Sequence, residues 1–162
     1  MRHHTVTDSP YGPLTLVAED EVLCGLYMTD QRHRPAEETF GPRDDSLPAF
    51  AAAEEQLQAY YAGELTEFTL ELSLGGTDFQ RKVWHQLTLI PYGETRSYGQ
   101  LADALGNPGA SRAVGLANGR NPVGIIVPCH RVVGSTGSLT GYGGGLHRKQ
   151  RLLDFERGAG LF

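Results

Sequence analysis

One short run concentrates the reactive chemistry of this chain. Ile126-Val127-Pro128-Cys129-His130-Arg131-Val132-Val133 sets a thiol beside an imidazole and a guanidinium in otherwise apolar sequence. A thiol attacks as its thiolate, and a free cysteine has a pKa of about 8.5, so a reactive one needs a base or a positive charge close by. His130 and Arg131 can supply either. A cysteine in an apolar run is otherwise a packing residue, so the reading depends on what else the chain brings to Cys129. Glu156 is the first such feature. It stands three and four positions after Leu153 and Leu152, on their inward stripe, near the C-terminal end of a helix, where the dipole disfavours a carboxylate. A buried acid in that field needs a partner. His130 fits, because a carboxylate on one ring nitrogen fixes the tautomer that lets the other act as a base.

The elements that would position these groups are legible in outline. Leu14 and Leu16, then Val22, Cys24, Leu26 and Met28, alternate on either side of Glu19-Asp20-Glu21 as in a hairpin, which makes Cys24 a small core residue. A polar loop over 29–47 precedes Phe50, Ala53, Leu57 and Tyr61 at helical spacing, and Phe68 to Leu74 alternates without a break, predicting a strand. Gly75-Gly76 then interrupts the pattern, and the expected boundary falls there, giving an N-terminal domain over 1–76 and a C-terminal domain over 77–162. Thr77-Asp78-Phe79-Gln80 and Ser97-Tyr98-Gly99-Gln100 are capping boxes opening two helices. The second is stopped by Gly106, and Asn107-Pro108 is expected to start another helix through Ala110, Ser111, Arg112, Ala113, Gly115 and Ala117, forming a helix-turn-helix. Small side chains on that last helix allow close approach to whatever it faces. A glycine-rich loop over 134–145 leads into a closing helix from about Leu146 to Arg157.

Charge is divided unevenly. Residues 1–76 hold 4 Lys and Arg against 14 Asp and Glu, while 77–162 hold 10 against 5, so a net −10 is followed by +5. That asymmetry suggests that the second half meets a polyanion. No stretch approaches the roughly 20 apolar residues needed to cross a bilayer, and the start lacks the apolar core of a signal peptide, so a soluble, cytoplasmic protein with no membrane partner is expected. Two cysteines do not make a disulfide framework. No zinc spacing occurs, and Cys24 with His3, His4, His33 or His85 is the nearest thing to a ligand set, so no metal is expected. The glycine run matches neither a P-loop nor GxGxxG, and no nucleotide cofactor is expected.

Taken together, RSYGQLA, SRAVGLANGRNP, IVPCHRVV, GYGGG and a closing helix with Glu resemble the O6-alkylguanine-DNA alkyltransferase family across residues 77–158. The PCHRV core preceded by RAVG and NP is specific as a combination. SPYGPLTL and YYAGEL extend the resemblance loosely into the first half. The resemblance implies an α/β N-terminal domain with a small antiparallel, ribonuclease-H-like sheet, then a mostly α-helical C-terminal domain. It implies that Cys129 takes the alkyl group, that His130 is a base acting through a water, that Glu156 orients His130, and that Asn121 braces the turn. Tyr98 would contact the backbone phosphate and the flipped base, Arg112 would fill the gap in the duplex, and Ala110, Ser111, Ala113 and Gly115 would line the DNA-facing helix. Val132, through its main chain, with Tyr142, Gly143 and Gly144 would form the base pocket. Gly124, where proline is frequent, and Gly143, where some members have serine, are departures that bear on pocket width.

The implied activity is a single, irreversible transfer of an alkyl group from O6 of guanine, and from O4 of thymine, in double-stranded DNA to Cys129, without a cofactor. The implied assembly is a monomer in solution with side-by-side packing on DNA left open. A multiple-turnover cysteine hydrolase using Cys129, His130 and Glu156 and a non-catalytic lesion sensor are the alternatives. The first leaves the helix-turn-helix unexplained, and the second leaves the thiol idle.

Overall fold

The computed structural model describes residues 1–159. The last three residues of the expected C-terminal domain lie outside that range. The chain divides into two compact units, Met1–Gly75 and the part from Gly76 onward.

The first unit is built on an antiparallel sheet of β1 (Arg2–Thr7), β2 (Leu14–Glu19) and β3 (Val22–Met28), with β2 in the middle. Asp20 and Glu21 both take positive φ, 49° and 69°, the geometry of a two-residue turn whose twist matches its strands. The hairpin follows the alternation, but its register slips between Val17 and Ala18: Val17 faces Gly25, Ala18 faces Leu23, and Cys24 is the extra residue between them. Cys24 is therefore half-buried rather than a core residue, and Leu23 is buried instead.

β2 is buried on both faces. Helix α1 (Pro48–Tyr61) turns Phe50, Ala53, Leu57, Tyr60 and Tyr61 inward, and proline sits at its first turn, where its missing N–H costs nothing. Residues 29–47, expected as a plain loop, contain a short helical turn at Glu37–Phe40, and Phe40 is fully buried and stacked on Tyr27 at 5.6 Å. Tyr27 stands opposite Thr15, so Phe40 covers the face that carries both. The predicted strand over 68–74 does not form. Its side chains alternate between half-buried and exposed, yet it meets β3 through one bridge, Leu72 to Leu23, with Ser73 N–H donating to the Leu23 carbonyl at 2.9 Å. Alternation gave the facing of the side chains but supplied no ladder.

In the second unit, α2 (Asp78–Thr88) and α3 (Tyr98–Ala104) both begin on capping boxes. Thr77 accepts from Gln80 N–H at 3.1 Å while Gln80 accepts from Thr77 N–H at 3.0 Å; the Ser97 and Gln100 pair repeats this at 3.1 and 2.8 Å. Gly106, at φ +76°, takes the left-handed conformation that ends α3. The following helix, α4 (Ser111–Gly119), starts three residues later than Pro108, because Asn107 to Ala110 close a turn, with Ala110 N–H donating to the Asn107 carbonyl at 3.0 Å. Two short parallel strands, β4 (Arg96–Ser97) and β5 (Val132–Val133), went unread in the sequence because two residues carry no periodicity. The closing helix α5 (Leu146–Asp154) is shorter than expected; a wider π-helical turn occupies Phe155–Ala159. Val83, Trp84 and Leu87 from α2, Val114 and Ala117 from α4, and Leu152 and Leu153 from α5 are all buried. The indole N–H of Trp84 donates to the Ala117 carbonyl at 2.8 Å and fixes α2 against α4.

Candidate functional site

Residues 121–131 form a compact turn whose shape Asn121 holds. Its amide donates to the Val127 carbonyl at 2.7 Å and its oxygen accepts from Val123 N–H at 3.0 Å. Inside the turn Ile125 adopts φ +70°, strained for a β-branched residue. Tight bonds flank it, Ile126 N–H to the Gly124 carbonyl and Cys129 N–H to the Val127 carbonyl, both at 2.8 Å. The chain then makes one short helical turn, Cys129–Arg131, and enters β5. Cys129 ends as a buried residue, 7% exposed.

Burial pushes the Cys129 thiol up from its ordinary value, while the Asn121 side chain and the positive charge of Lys149 work against that rise. The groups beside the sulfur are thus Asn121 and Lys149. Arg131, expected as a source of charge for the thiol, is committed elsewhere. Its guanidinium donates through Nε and Nη2 to the two oxygens of Glu156 at 2.8 and 3.0 Å, and through Nη1 to the Ile90 carbonyl at 2.7 Å.

Glu156 is also the partner of His130. His130 Nε2 lies 2.8 Å from Glu156 Oε2, with both side chains essentially inaccessible. Burial would raise the Glu156 pKa, but the hydrogen bonds from His130 and Arg131 and the charge of Arg131 outweigh it and hold the carboxyl well below the usual range. For His130, burial dominates and lowers its pKa, the opposing pull of Glu156 notwithstanding. The imidazole is neutral at neutral pH. With Nε2 donating to the carboxylate, Nδ1 is left as the lone-pair nitrogen, and it is buried without a hydrogen-bond partner among the described residues. Glu156 reaches this position from the π-helical turn after α5, not from the regular helix expected to extend to Arg157.

Lys149 was not identified from the sequence. Its side chain is fully buried on α5, and Nζ donates to the carbonyls of Val132 at 2.5 Å and Thr140 at 2.7 Å, while burial lowers its pKa to about 8. It ties the glycine-rich loop to β5. It also occupies one acceptor direction of the Val132 carbonyl, part of the main chain expected to line the base pocket. Thr140 in turn donates its hydroxyl to Tyr98 at 2.9 Å, so the loop is latched to the start of α3 as well. Tyr142, Gly143 and Gly144 stand half-buried in that loop, with Gly145 N–H donating to the Tyr142 carbonyl at 2.9 Å and Arg148 donating to the Gly144 carbonyl at 3.1 Å.

The residues expected to face DNA divide between two roles. Arg112 and Ala113 are exposed on α4, joined there by Leu116, 70% exposed, and by Arg120 just past its end. Ser111 is half-buried at the first turn. Ala110 is buried, and Gly115 lies under Tyr98, where an added Cβ would sit 3.7 Å from the ring. Ala110 is thus turned inward and Gly115 lies against Tyr98, a distinction from the exposed face that helical spacing alone did not make. Leu116 was missed because one exposed apolar residue on a helix has no sequence signature. Lys149 and Arg131 were missed in these roles because long basic side chains read as surface until the fold buries them.

Comparison with known proteins bears directly on this geometry. Residues 78–158 match the family described as 6-O-methylguanine DNA methyltransferase, DNA binding domain, and residues 2–74 match the ribonuclease-like domain of the same protein. The chain is 59% identical to the methylated-DNA–protein-cysteine methyltransferase of Mycolicibacterium paratuberculosis, covering 97% of this chain and 93% of that one. It is 44% identical to the constitutive enzyme of that name from Bacillus subtilis, over 97% and 96% of the two chains. The crystal structure of Mycobacterium tuberculosis OGT in complex with DNA superposes with a TM-score of 0.89 at 56% identity, covering 98% of this chain and 94% of that one. The matches span both halves of the chain, and the chain therefore belongs to the 6-O-methylguanine DNA methyltransferase family.

Proposed function

We propose that this protein repairs alkylated DNA by direct reversal, transferring an alkyl group from O6 of guanine to its own Cys129. It is a methylated-DNA–protein-cysteine methyltransferase, as its relatives are named. The observation that carries the assignment of residues is the pair of buried relationships, Asn121 bracing the Val127 carbonyl beside Cys129 and His130 bonded to Glu156: one nucleophile held in a braced turn beside one neutral, oriented base.

An O6-alkyl group is hidden in the base stack, so the nucleotide must turn out of a DNA duplex at a cost of a few kcal/mol, least for a poorly paired damaged base. Arg112, exposed on α4, is suited to enter the stack and hold the opened state. In the pocket, the thiol proton passes to His130 Nδ1 through a water. The Cys129 sulfur then attacks the alkyl carbon, the S–C bond forms as the C–O bond breaks, and a proton returns to the departing guanine, directed by Tyr98. Asn121 and Lys149 stabilise the developing thiolate against the burial that disfavours it. Water does not hydrolyse the resulting thioether, so each molecule acts once and needs no cofactor. O4-alkylthymine offers the same C–O bond and is a second substrate. The protein works as a cytoplasmic monomer, and neighbouring copies can pack side by side on DNA.

Intact-mass measurement after mixing with excess O6-methylguanine duplex tests the reading. One added methyl on a Cys129 peptide, and none in Cys129→Ser, is the expected result. Repeated turnover would instead favour a cysteine hydrolase, and binding without mass change a lesion sensor.

A further inference from the structure

Glu156 accepts hydrogen bonds from both His130 and Arg131, and the mechanism above uses only the first. The guanidinium of Arg131 grips both carboxylate oxygens, at 2.8 and 3.0 Å, and shares Oε2 with His130 Nε2. Its remaining arm is fastened to the Ile90 carbonyl at 2.7 Å, and the Tyr92 ring lies 5.7 Å away. Arg131 is 6% exposed, so this fork operates away from bulk water, where a bidentate pair is at its strongest.

We infer that Arg131 is a positioning residue for the transfer: by neutralising and orienting Glu156 it keeps His130 in the neutral, proton-accepting form. This rests on the proposed role of His130 as the base for Cys129. The physical argument concerns an excess of charge. A carboxylate facing His130 alone would draw a proton onto the imidazole and leave no lone pair at Nδ1. A guanidinium does not give up its proton in a protein, so with Arg131 present the carboxylate's charge is already matched. The other groups acting on His130 reinforce this. Burial opposes its protonation, and Lys149 adds a second positive charge, leaving Glu156 as the group that favours the imidazolium among the described residues. The fork also fixes the plane of the carboxylate, and with it the tautomer that leaves Nδ1 without a partner among the described residues. A lysine cannot reproduce both effects, because its ammonium carries the charge without the planar fork.

The test follows the C2 proton resonance of His130 against pH in Cys129→Ser, Cys129→Ser/Arg131→Gln and Cys129→Ser/Arg131→Lys proteins, alongside the pH profile of alkyl uptake in the same Arg131 variants carrying Cys129. Removing the charge in Arg131→Gln should raise the His130 midpoint by one pH unit or more. Alkyl uptake at pH 6.5 should then fall at least 10-fold and recover in part by pH 8.5. Arg131→Lys should keep the midpoint within about half a unit and slow uptake 3- to 10-fold at every pH. An unchanged midpoint in Arg131→Gln overturns the inference. Should that variant not fold, Arg131→Lys decides, and a midpoint raised by a unit there overturns it. Failure of the broader functional reading looks different: the protein with Arg131 intact would take up no alkyl group, while the His130 midpoints would still report on Arg131.

Discussion

His130 Nε2 lies 2.8 Å from Glu156 Oε2, a buried contact between residues 26 positions apart that join a short turn before β5 to the turn after α5. A carboxylate so placed does two things at once. It supports the fold and it orients a base, and the two effects can be separated by measurement.

Replacing Glu156 with Ala strips the partner from both His130 and Arg131 and leaves the guanidinium buried with only the Ile90 carbonyl among its hydrogen bonds given above. Breaking a buried pair from one side costs about 3–5 kcal/mol. We expect the melting temperature to drop and alkyl uptake to fall by about two to four orders of magnitude, with DNA affinity nearly unchanged in gel-shift titrations. An unchanged uptake rate would remove Glu156 from the chemistry.

The pH dependence of stability has a definite sign on each side of neutrality. The folded His130 binds its proton less readily than the ordinary 6.5, and Glu156 less readily than 4.5, so both contributions are complete above those values and are lost as pH falls. Lys149 is lowered from 10.5 to about 8, so its charged form destabilises the fold below pH 8 and that cost disappears as pH rises toward 10.5. Melting curves from pH 3 to 10 should therefore weaken below about 6.5. The difference between the parent protein and Lys149→Met should shift in favour of the parent between 8 and 10.5.

Arg112 is exposed on α4 and takes no part in the hydrogen bonds around Cys129 described above. Arg112→Ala should therefore slow repair of a duplex 10-fold or more while leaving reaction with free O6-benzylguanine nearly as fast, because extrusion of the base is what it assists. Equal losses on both substrates would refute that role.

Asn121 serves Val127, Val123 and the sulfur together. Asn121→Ala leaves the buried Val123 N–H without this bond, at about 1–3 kcal/mol, and takes one of two donors from the Val127 carbonyl, which keeps Cys129 N–H, at about 1 kcal/mol; it also frees the turn that holds Ile125 at φ +70°. Denaturant unfolding should show a loss of about 2–5 kcal/mol, and alkyl uptake should slow more than 10-fold even where the protein remains folded. Unchanged stability would mean that the turn holds without this brace.

The amino-acid sequence determined the local features. The two capping boxes start α2 and α3 where their side chains close the first turns, the left-handed glycine at 106 ends α3, and the Asp20-Glu21 turn pairs β2 with β3. These depend on contacts within a few residues, and composition and spacing encode them. The inward stripe that carries Glu156 also pointed to His130 as its partner, and the structure forms that pair. Tertiary structure decided what depends on contacts distant in sequence. Alternation over 68–74 could not say whether a ladder partner was present, and the hairpin could not say that a bulge would carry Cys24 out of the core. Nor could spacing show that Arg131 would be taken from the thiol by Glu156, or that Lys149 would be buried beside it. Whether a charged side chain ends in water or in a protein interior is settled by the surfaces that fold over it, and those come from residues 9 to 41 positions away.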